Sequence, residues 1–235
     1  MKLKANLHFH SKDDPHDVID YSFQEGIDEA ARLGFEVIAL TCHNRFIDLP
    51  EYAAHAAKNN ILFIPGIEKN IERRHVVILN ADKDIEKIDT FAGLAAYKKS
   101  RPAAFVLAPH PYFPTPYCLG EKLEEHIGIF DAIEHSWFYS KRVNLNSKAE
   151  TLAKKRNLPY LATSDTHELK ILTKAYAVID AEEKTAAAVF EAIRLKNFEN
   201  FSEPSKFWSE MIISTLWGDA RKYRQKYLVR QKRRS

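Results

Sequence analysis

The chain has 235 residues, of which 45% are apolar and 29% charged, and its formal net charge is +3. This length suits one large α/β domain with a substantial core, and no apolar stretch approaches the roughly 20 residues that a membrane-spanning helix requires. The two cysteines, Cys42 and Cys118, match no disulfide framework and no zinc-ligand spacing. We therefore expect a cytoplasmic protein without a membrane partner.

The charge is unevenly distributed along the chain. Residues 221–235 contain eight lysines and arginines and no acidic residue, which leaves 27 basic against 32 acidic residues in the rest, a net charge of −5. A basic tail on an acidic body indicates a polyanionic partner, such as RNA. The alternative is a solvated, frayed helix end, which we favour slightly, so nucleic acid is only a possible partner.

Short strand-like runs alternate with helical patterns, which is typical of βα units around a parallel sheet or barrel. Residues 3–9 predict the first strand, and residues 18–33 predict an amphipathic helix that stops at Gly34. The further strands are expected at residues 37–41, 61–67, 74–80 (the return arm of a hairpin), 104–108, 129–134, 160–163 and 175–179. The further helices are expected at residues 50–59, 85–100, 146–157, 185–196 and from about 205.

Residues of the types that bind metal ions stand at or just beyond the carboxyl ends of these strands. His8 and His10 end the first strand, where an extended backbone projects both imidazoles to one face. The other strand ends carry His43, Glu68, His75, His110, Glu134, His135, Asp165 and His167. In a barrel these ends meet at one rim. Because burying so many ionisable groups without a partner would be costly, a metal centre is predicted.

The ligand types indicate the chemistry. Nitrogen and oxygen ligands without a thiolate suit Zn, Mn or Fe, and the sequence favours none of the three. The ligand-type residues exceed the needs of one ion, so two or three ions are expected, with an acidic side chain such as Glu68 as the bridge. Ions about 3.5–4 Å apart activate a shared water and hold a phosphoryl group during in-line attack. Hydrolysis of a phosphoester by metal-activated hydroxide is the leading prediction.

Seven short motifs together resemble the PHP family, named after polymerase and histidinol phosphatase domains. They are His8-Phe9-His10, Thr41-Cys42-His43, Gly66-Ile67-Glu68, His75, His110-Pro111, Ile133-Glu134 and Ser164-Asp165-Thr166-His167. The resemblance covers about residues 1–200 and implies an α/β fold, a distorted (β/α)7 barrel, with a two- or three-metal phosphoesterase site. Residues 201–235 would then form a C-terminal helix and basic tail.

The resemblance also implies which residues bind each ion. The first ion would be bound by His8, His10, Glu68 and Asp165. Glu68 would bridge to a second ion, bound also by His75 and His110. A third ion would be bound by His16, His43 and His167, with Asp13 or Asp14 as the alternative to His16. The catalytic group would consist of His8, His10, Glu68, Asp165 and His167.

Several residues near the motifs need a separate interpretation. Asn6 and Cys42 stand where the family usually has aspartate, and both are expected to orient ligands without touching an ion. His135 is interpreted as a packed structural histidine. Arg45 and Arg142 are the preferred contacts to substrate phosphate, since arginine can bind phosphate through two hydrogen bonds. Ordinary solvated loop charge is the alternative for each arginine.

Three functions are compatible with these residues. The leading one is a metal-dependent phosphoesterase that hydrolyses a phosphorylated small molecule or nucleotide. The alternative is a nuclease or nucleic-acid-end phosphatase acting on RNA or DNA, which the basic tail favours. The third is a non-catalytic, metal-bearing module that binds nucleic acid or a partner, and the complete ligand set argues against it.

Overall fold

The computed structural model describes residues 1–206, and within them the strands form one sheet. The strands are β1 (Lys2–Phe9), β2 (Val37–Leu40), β3 (Leu62–Ile71), β4 (Arg74–Leu79), β5 (Phe105–Ala108), β6 (Ala132–Ser136), β7 (Tyr160–Thr163), β8 (Ala175–Asp180) and β9 (Phe198–Ser202). The predicted basic tail lies outside the described residues, as does nearly all of the helix expected from about residue 205. β9 has no counterpart among the predicted strands.

The sheet combines parallel and antiparallel pairs. Across it the strands follow the order β7-β6-β5-β4-β3-β2-β1-β8-β9. Two parallel blocks, β1-β2-β3 and β5-β6-β7, are joined by β4, which is antiparallel to both of its neighbours. β8 is antiparallel to β1, and β9 is antiparallel to β8. A regular (β/α) barrel contains only parallel strands, so these antiparallel pairs distort the barrel.

Side-chain and backbone contacts bring the two ends of the sheet together. The Asn200 carboxamide on β9 accepts a hydrogen bond from the Ala162 N–H (2.8 Å) and donates one to the Tyr160 carbonyl (2.7 Å), both on β7. Just beyond β7, the backbone of Thr166 exchanges two 3.1 Å hydrogen bonds with His8 and His10. The result is a nearly closed, barrel-shaped sheet, which confirms the predicted fold class.

The connecting α-helices are α1 (Phe23–Arg32), α2 (Pro50–Lys58), α3 (Phe91–Ser100), α4 (Glu121–Glu125), α5 (Ser147–Arg156) and α6 (Ala186–Arg194). α1 begins later than predicted because Ser22 and Glu25 form a capping box, in which each side chain accepts the other residue's N–H. Residues 11–22 are therefore a loop. Among residues 1–206, no helix combines the length and apolarity that crossing a membrane would demand.

The helix predicted over residues 85–100 is also divided. A 3₁₀ turn occupies Lys83–Lys87, and α3 starts only after Thr90, whose hydroxyl accepts a hydrogen bond from the Gly93 N–H (3.1 Å). A threonine in this position satisfies one of the free N–H groups of the first helical turn. The local hydrogen bond of Thr90 therefore sets the start of α3 within the longer apolar pattern.

The inner face of the sheet carries the core. Val37 and Ala39 on β2 belong to a fully buried apolar cluster that includes inward-facing residues of β1 and of β3 to β8. α6 covers the end of this cluster opposite the rim, and its Phe190 stacks on Phe105 at the start of β5 with ring centroids 4.8 Å apart. The predicted strand ends therefore lie at the other end of the barrel, which no helix of residues 1–206 covers in this way.

A β-bulge changes the phase of β1. Leu7 belongs to the inner apolar cluster, so strict alternation would turn His8 to the outer face. However, Asn6 lies opposite Ile38 whereas Phe9 lies opposite Leu40, which gives β1 one extra residue in this stretch. After the extra residue, Phe9 packs in the outer cluster beneath α1, and His8 and His10 point inward.

Candidate metal centre

The ligand-type residues continue the inner face of the strands beyond the apolar core. His43 lies four residues after Ala39, and Glu68 lies four residues after Ile64, so both pairs share one face. Gly66 stands between Ile64 and Glu68, where an added Cβ would come within 2.8 Å of a Leu79 methyl group. The strand spacing that builds the core therefore also delivers the ligands to one rim.

The first group consists of His8, His10, Glu68 and Asp165. The Nε2 atoms of the two histidines lie 3.4 and 3.5 Å from Glu68 Oε2, and 3.3 and 3.2 Å from Asp165 Oδ1. All four atoms are buried, and none has a hydrogen bond within residues 1–206. Four donors around a zinc ion with bonds of about 2.0–2.1 Å would be about 3.3–3.4 Å apart. The residues therefore fit a bound divalent cation.

Glu68 connects this group to a second one. Its Oε1 atom lies 2.8 Å from His75 Nδ1 and 3.2 Å from His110 Nε2, whereas its Oε2 atom lies 3.0 Å from His43 Nε2. The ligand atoms of His43, Glu68 and His75 all lie within 4.8 Å of one another. The two carboxylate oxygens thus face different histidines, which is the arrangement that a bridging ligand requires.

A third group contains His10, His43 and His167, whose ligand atoms also lie within 4.8 Å of one another. The rings of His10 and His167 stack with their centroids 4.2 Å apart. His16 is not part of this group: it is exposed, and its Nε2 atom lies 3.4 Å from the Asn44 amide nitrogen. The structure thus brings His10 to the position that the resemblance gave to His16, and the role of His16 as a ligand stays a prediction.

Asp14 stands behind the third group. Its Oδ2 atom accepts hydrogen bonds from His10 Nδ1 (2.9 Å) and His43 Nδ1 (2.8 Å), and also from the His43 N–H (2.8 Å). Burial alone would raise the pKa of Asp14, but the bonds from the two histidines outweigh it and hold that pKa well below its usual range. The ionised carboxylate leaves the Nε2 atoms of both histidines to face the centre.

Glu134 contacts one histidine of the first group, His8, and the backbone of His110 beside the second group. Its carboxylate lies 3.2 Å from His8 Nδ1 and accepts hydrogen bonds from the Thr163 hydroxyl (2.7 Å) and the His110 N–H. Burial would lower the pKa of His8, but the nearby Asp165, Glu68 and Glu134 raise it to about 10. Three carboxylates around one buried imidazole stabilise positive charge at this site.

Asp17 was not among the predicted site residues, whereas Glu134 was predicted as a ligand-type residue at a strand end but was assigned to none of the three ions. Asp17 Oδ2 lies 2.9 Å from His167 Nε2. Asp17 sits in the irregular loop of residues 11–22, which no periodicity describes, whereas the strand-end position of Glu134 offered a usable signal. Both carboxylates orient histidines that the strand ends supply.

Asn6 and Cys42 lie beside the ligands. Asn6 accepts a hydrogen bond from the His8 N–H (3.1 Å) and donates to the Ser164 hydroxyl, so it links β1 to the segment after β7. The Cys42 thiol is buried 3.9 Å from the Ser11 hydroxyl, and burial raises its pKa to about 12. Cys42 is thus a neutral packing residue at neutral pH.

The two predicted phosphate contacts, Arg45 and Arg142, are both exposed. The Nη1 atom of Arg45 donates to the Asp13 carbonyl (3.0 Å), which ties it to the loop of residues 11–22. The backbone N–H of Arg142 donates to the Ser140 hydroxyl (3.2 Å). No described contact joins either guanidinium to the ligand groups, so their binding of substrate stays a prediction.

His135 lies on the outer face of β6, away from Glu134. Its Nδ1 atom is 3.0 Å from the Tyr160 hydroxyl, and its Nε2 atom is 2.9 Å from the Ser202 hydroxyl on β9. Burial lowers its pKa. These contacts make His135 part of the packing between β6, β7 and β9.

The backbone is strained at three positions of the centre. Asn44, His110 and Asp165 have φ angles of 52°, 28° and 45°, in the left-handed region that non-glycine residues rarely adopt. Such conformations cost of order 1–3 kcal/mol each and persist where the surrounding structure imposes them. Here they occur where strands end and turn the ligands inward.

Comparison with protein families matches two models to this chain. The PHP domain matches residues 6–127, just over half of the chain, and the PHP-associated model matches residues 144–197. The chain therefore belongs to the PHP family, as its motifs predicted. No curated protein matches the sequence.

Several solved structures share the fold. A two-domain protein from Bacteroides vulgatus ATCC 8482, containing a predicted PHP-like metal-dependent phosphoesterase, has a TM-score of 0.66 and 20% identity over 86% of this chain and 65% of its own. An Endonuclease Q bound to a 27-mer duplex with an abasic lesion at its active site has a TM-score of 0.64 and 15% identity over 87% of this chain and 60% of its own. The chain thus spans less than two thirds of these two proteins.

A third structure matches over nearly its whole length. An amidohydrolase from Chromobacterium violaceum, with bound sulfate and no metal, has a TM-score of 0.57 and 17% identity, covering 83% of this chain and 97% of its own. At these identities the likeness concerns the fold. The chemistry of this chain has to be argued from its own residues.

Proposed function

We propose that this chain is a metal-dependent phosphoesterase that hydrolyses a phosphomonoester or nucleotide-type substrate. The observation that carries the proposal is the first group: two nitrogen and two oxygen atoms, all buried, with nitrogen–oxygen distances of 3.2–3.5 Å and no hydrogen bond within residues 1–206. Leaving such atoms without a partner would be costly. A divalent cation satisfies all four at once.

The sharing of ligands extends the proposal from one ion to two or three. Glu68 takes part in the first and second groups, His10 in the first and third, and His43 in the second and third. Ions held by these shared ligands would lie close enough together to act on one phosphoryl group. When bound, such ions supply an activated water and neutralise the charge that develops on the phosphoryl oxygens.

The chain's own residues prepare the centre for this reaction. Asp14 and Glu134 bind the Nδ1 atoms of His10, His43 and His8, which fixes both the ring orientation and the tautomer. Asp165 and Glu68 supply the negative charge that draws cations into the rim. We propose His8, His10, Glu68, Asp165 and His167 as the catalytic group, with His43, His75 and His110 as further ligands.

Chelation and reconstitution test the proposal. Purified full-length protein is expected to lose hydrolysis of 4-nitrophenyl phosphate in excess chelator and to regain it with Mn, Zn or Fe, added singly. Elemental analysis of the purified protein would count two or three ions per chain and identify them. Turnover that persists in chelator, with no bound metal, would contradict the proposal.

A nuclease or nucleic-acid-end phosphatase is the second candidate. It is supported by the shared fold of the Endonuclease Q that binds damaged duplex DNA and by the eight basic residues at positions 221–235. Since cationic contacts to phosphates make binding salt-dependent, we expect deletion of residues 221–235 to weaken RNA or DNA turnover and to reduce its salt dependence. Hydrolysis of 4-nitrophenyl phosphate serves as the internal reference. Equal effects on both substrates would contradict the nuclease candidate.

A further inference from the structure

A pocket adjoins the metal centre on the side of the β3–β4 hairpin. This cavity of about 520 Å³ is lined by Asn70, Glu72, Arg73, Asp89, Thr90 and Tyr117. Asn70 lies two residues beyond Glu68, on the same face of β3, and pairs with His75 across the hairpin. The pocket therefore continues the surface that carries the second ligand group.

Tyr117 forms an aromatic wall between the pocket and the centre. Its ring stacks on His75, with centroids 5.3 Å apart and an interplanar angle of 23°. The residue is nevertheless 51% exposed. Because His75 covers one face of the ring, the exposed area belongs to the opposite face and the ring edge. Among the described residues, an exposed aromatic face thus lies one ring away from a proposed metal ligand.

The backbone holds this wall in place. The Tyr117 carbonyl accepts a hydrogen bond from the His75 N–H (2.7 Å). On either side, Arg74 Nη1 donates to the carbonyls of Pro116 (2.6 Å) and Cys118 (3.0 Å). Little conformational freedom is left to lose when a planar ligand stacks on Tyr117, which favours binding.

The polar groups of the pocket indicate what kind of ligand it takes. Asn70 Oδ1 is buried and accepts no hydrogen bond within residues 1–206. The Arg73 guanidinium, on the exposed turn of the hairpin, has no ion pair in the same part of the chain. Glu72 and Asp89 add negative charge, which disfavours a polyphosphate. An acceptor, a cationic donor and an exposed aromatic face together suit a heterocycle that carries both N–H groups and acceptor atoms.

We propose that the pocket is a leaving-group subsite that receives the base of a nucleotide, stacked on Tyr117 while its phosphate reaches the metal centre. Asn70 Oδ1 accepts an N–H of the base, and Arg73 lies where an acceptor atom of the base can be bound. This inference rests on the proposed phosphoesterase function and names the substrate class of the same site.

A matched pair of substrates tests the subsite. Adenosine 5′-monophosphate and ribose 5-phosphate share the phosphate and the sugar and differ in the base. The full-length, metal-loaded protein is expected to have a higher kcat/KM for the nucleotide. Since base stacking on an aromatic side chain is lost with the ring, Tyr117→Ala should lower the ratio of the two kcat/KM values roughly 5- to 150-fold. Tyr117→Phe keeps the ring and should largely retain the ratio.

The ratio separates the subsite from the chemistry, because any disturbance of His75 affects both substrates alike. Equal kcat/KM values in the unaltered protein, or an unchanged ratio in Tyr117→Ala, would overturn the subsite while hydrolysis itself stands. If neither substrate is hydrolysed, the proposed function fails. Calorimetric titration with the same two compounds then decides on the subsite, since the base should still tighten binding in the unaltered protein and not in Tyr117→Ala.

Discussion

The inner face of the barrel has two halves that meet different physical demands. Toward the end covered by α6, apolar side chains such as Leu107 and Leu161 pack against one another and need no other partner. Toward the rim, the same strands deliver histidines and carboxylates, several of whose buried atoms lack hydrogen bonds within residues 1–206. In the half near α6, the lower half, the apolar side chains satisfy one another. In the half near the rim, the upper half, buried polar atoms would be satisfied only by a bound ligand. Within a single strand, the residues that stabilise the fold are therefore different from those that form the metal centre.

The largest effect is expected in the upper half, from Glu68→Gln. The substitution keeps the shape of the side chain but removes the charge that connects the first two ligand groups. Hydrolysis of 4-nitrophenyl phosphate should fall by more than about 100-fold, beyond the loss typical of residues that only orient a ligand. In chelator the melting temperature should fall, because the substitution removes the charged partner of the buried contacts with His43 and His75. Full metal content with full turnover would show that Glu68 is not a bridging ligand.

The lower half should respond in the opposite way. Leu107→Ala removes a fully buried side chain from the apolar cluster and is expected to lower the free energy of unfolding by about 2–5 kcal/mol, measured by urea denaturation. The metal content of the folded protein should not change. Leu195→Ala, at a position 61% exposed, is the matched control and should change stability by less than about 0.5 kcal/mol. A loss of bound metal in Leu107→Ala would mean that the halves are coupled.

A smaller effect is expected from the carboxylates behind the ligands. Glu134→Gln weakens the hold on His8 Nδ1 and should reduce metal affinity about 10- to 100-fold, measured by competition with a chelator. Asp28→Asn is the control, since Asp28 makes a similar contact with His55 (2.7 Å) on the surface. An equal change in both variants would indicate a general loss of stability instead of lost ligand orientation.

The smallest effect concerns pH and lies outside the metal centre. Burial lowers the pKa of His135 in the folded protein, so the unfolded chain binds a proton more readily. The neutral His135 therefore contributes stability that is present above its ordinary pKa of about 6.5 and is lost as pH falls through the lower, folded value.

His135→Gln should flatten the decline in stability over that acidic range by at most about 1.4 kcal/mol per pH unit. Urea denaturation in chelator, at several pH values, measures the difference from the unaltered protein. Parallel curves for His135→Gln and the unaltered protein would contradict the prediction.

Much of the fold could be predicted because it depends on local patterns. Apolar runs at β2, β5 and β7 coincide with the observed strands within a residue or two. The ligand-type residues at the strand ends could be predicted for the same reason, since the two-residue period of a strand places core residues and ligands on the same face. β9 escaped prediction because most of it is exposed, and its attachment to β7 depends on Asn200, which no alternation of apolar residues identifies.

The details of the centre depend on contacts that are distant in sequence. His16 has the spacing of a ligand, and the same loop of residues 11–22 turns Asp14 toward His10 and His43, a pair of contacts that spacing alone does not indicate. Where that loop ends is decided by the capping box of Ser22, a local signal that competes with the apolar pattern over residues 18–33. The bulge in β1 is equally hidden, because it exists only relative to the register of β2.

That bulge makes β1 sensitive to a kind of change that substitution does not mimic. Inserting one alanine between Asn6 and Leu7 would leave the hydropathy of the segment almost unaltered. With the one-residue bulge kept, it would nevertheless exchange the two faces of the strand beyond that point, sending both imidazoles toward α1 and the Phe9 ring into the rim. The length of this short stretch therefore carries as much information about activity as the identity of the residues in it.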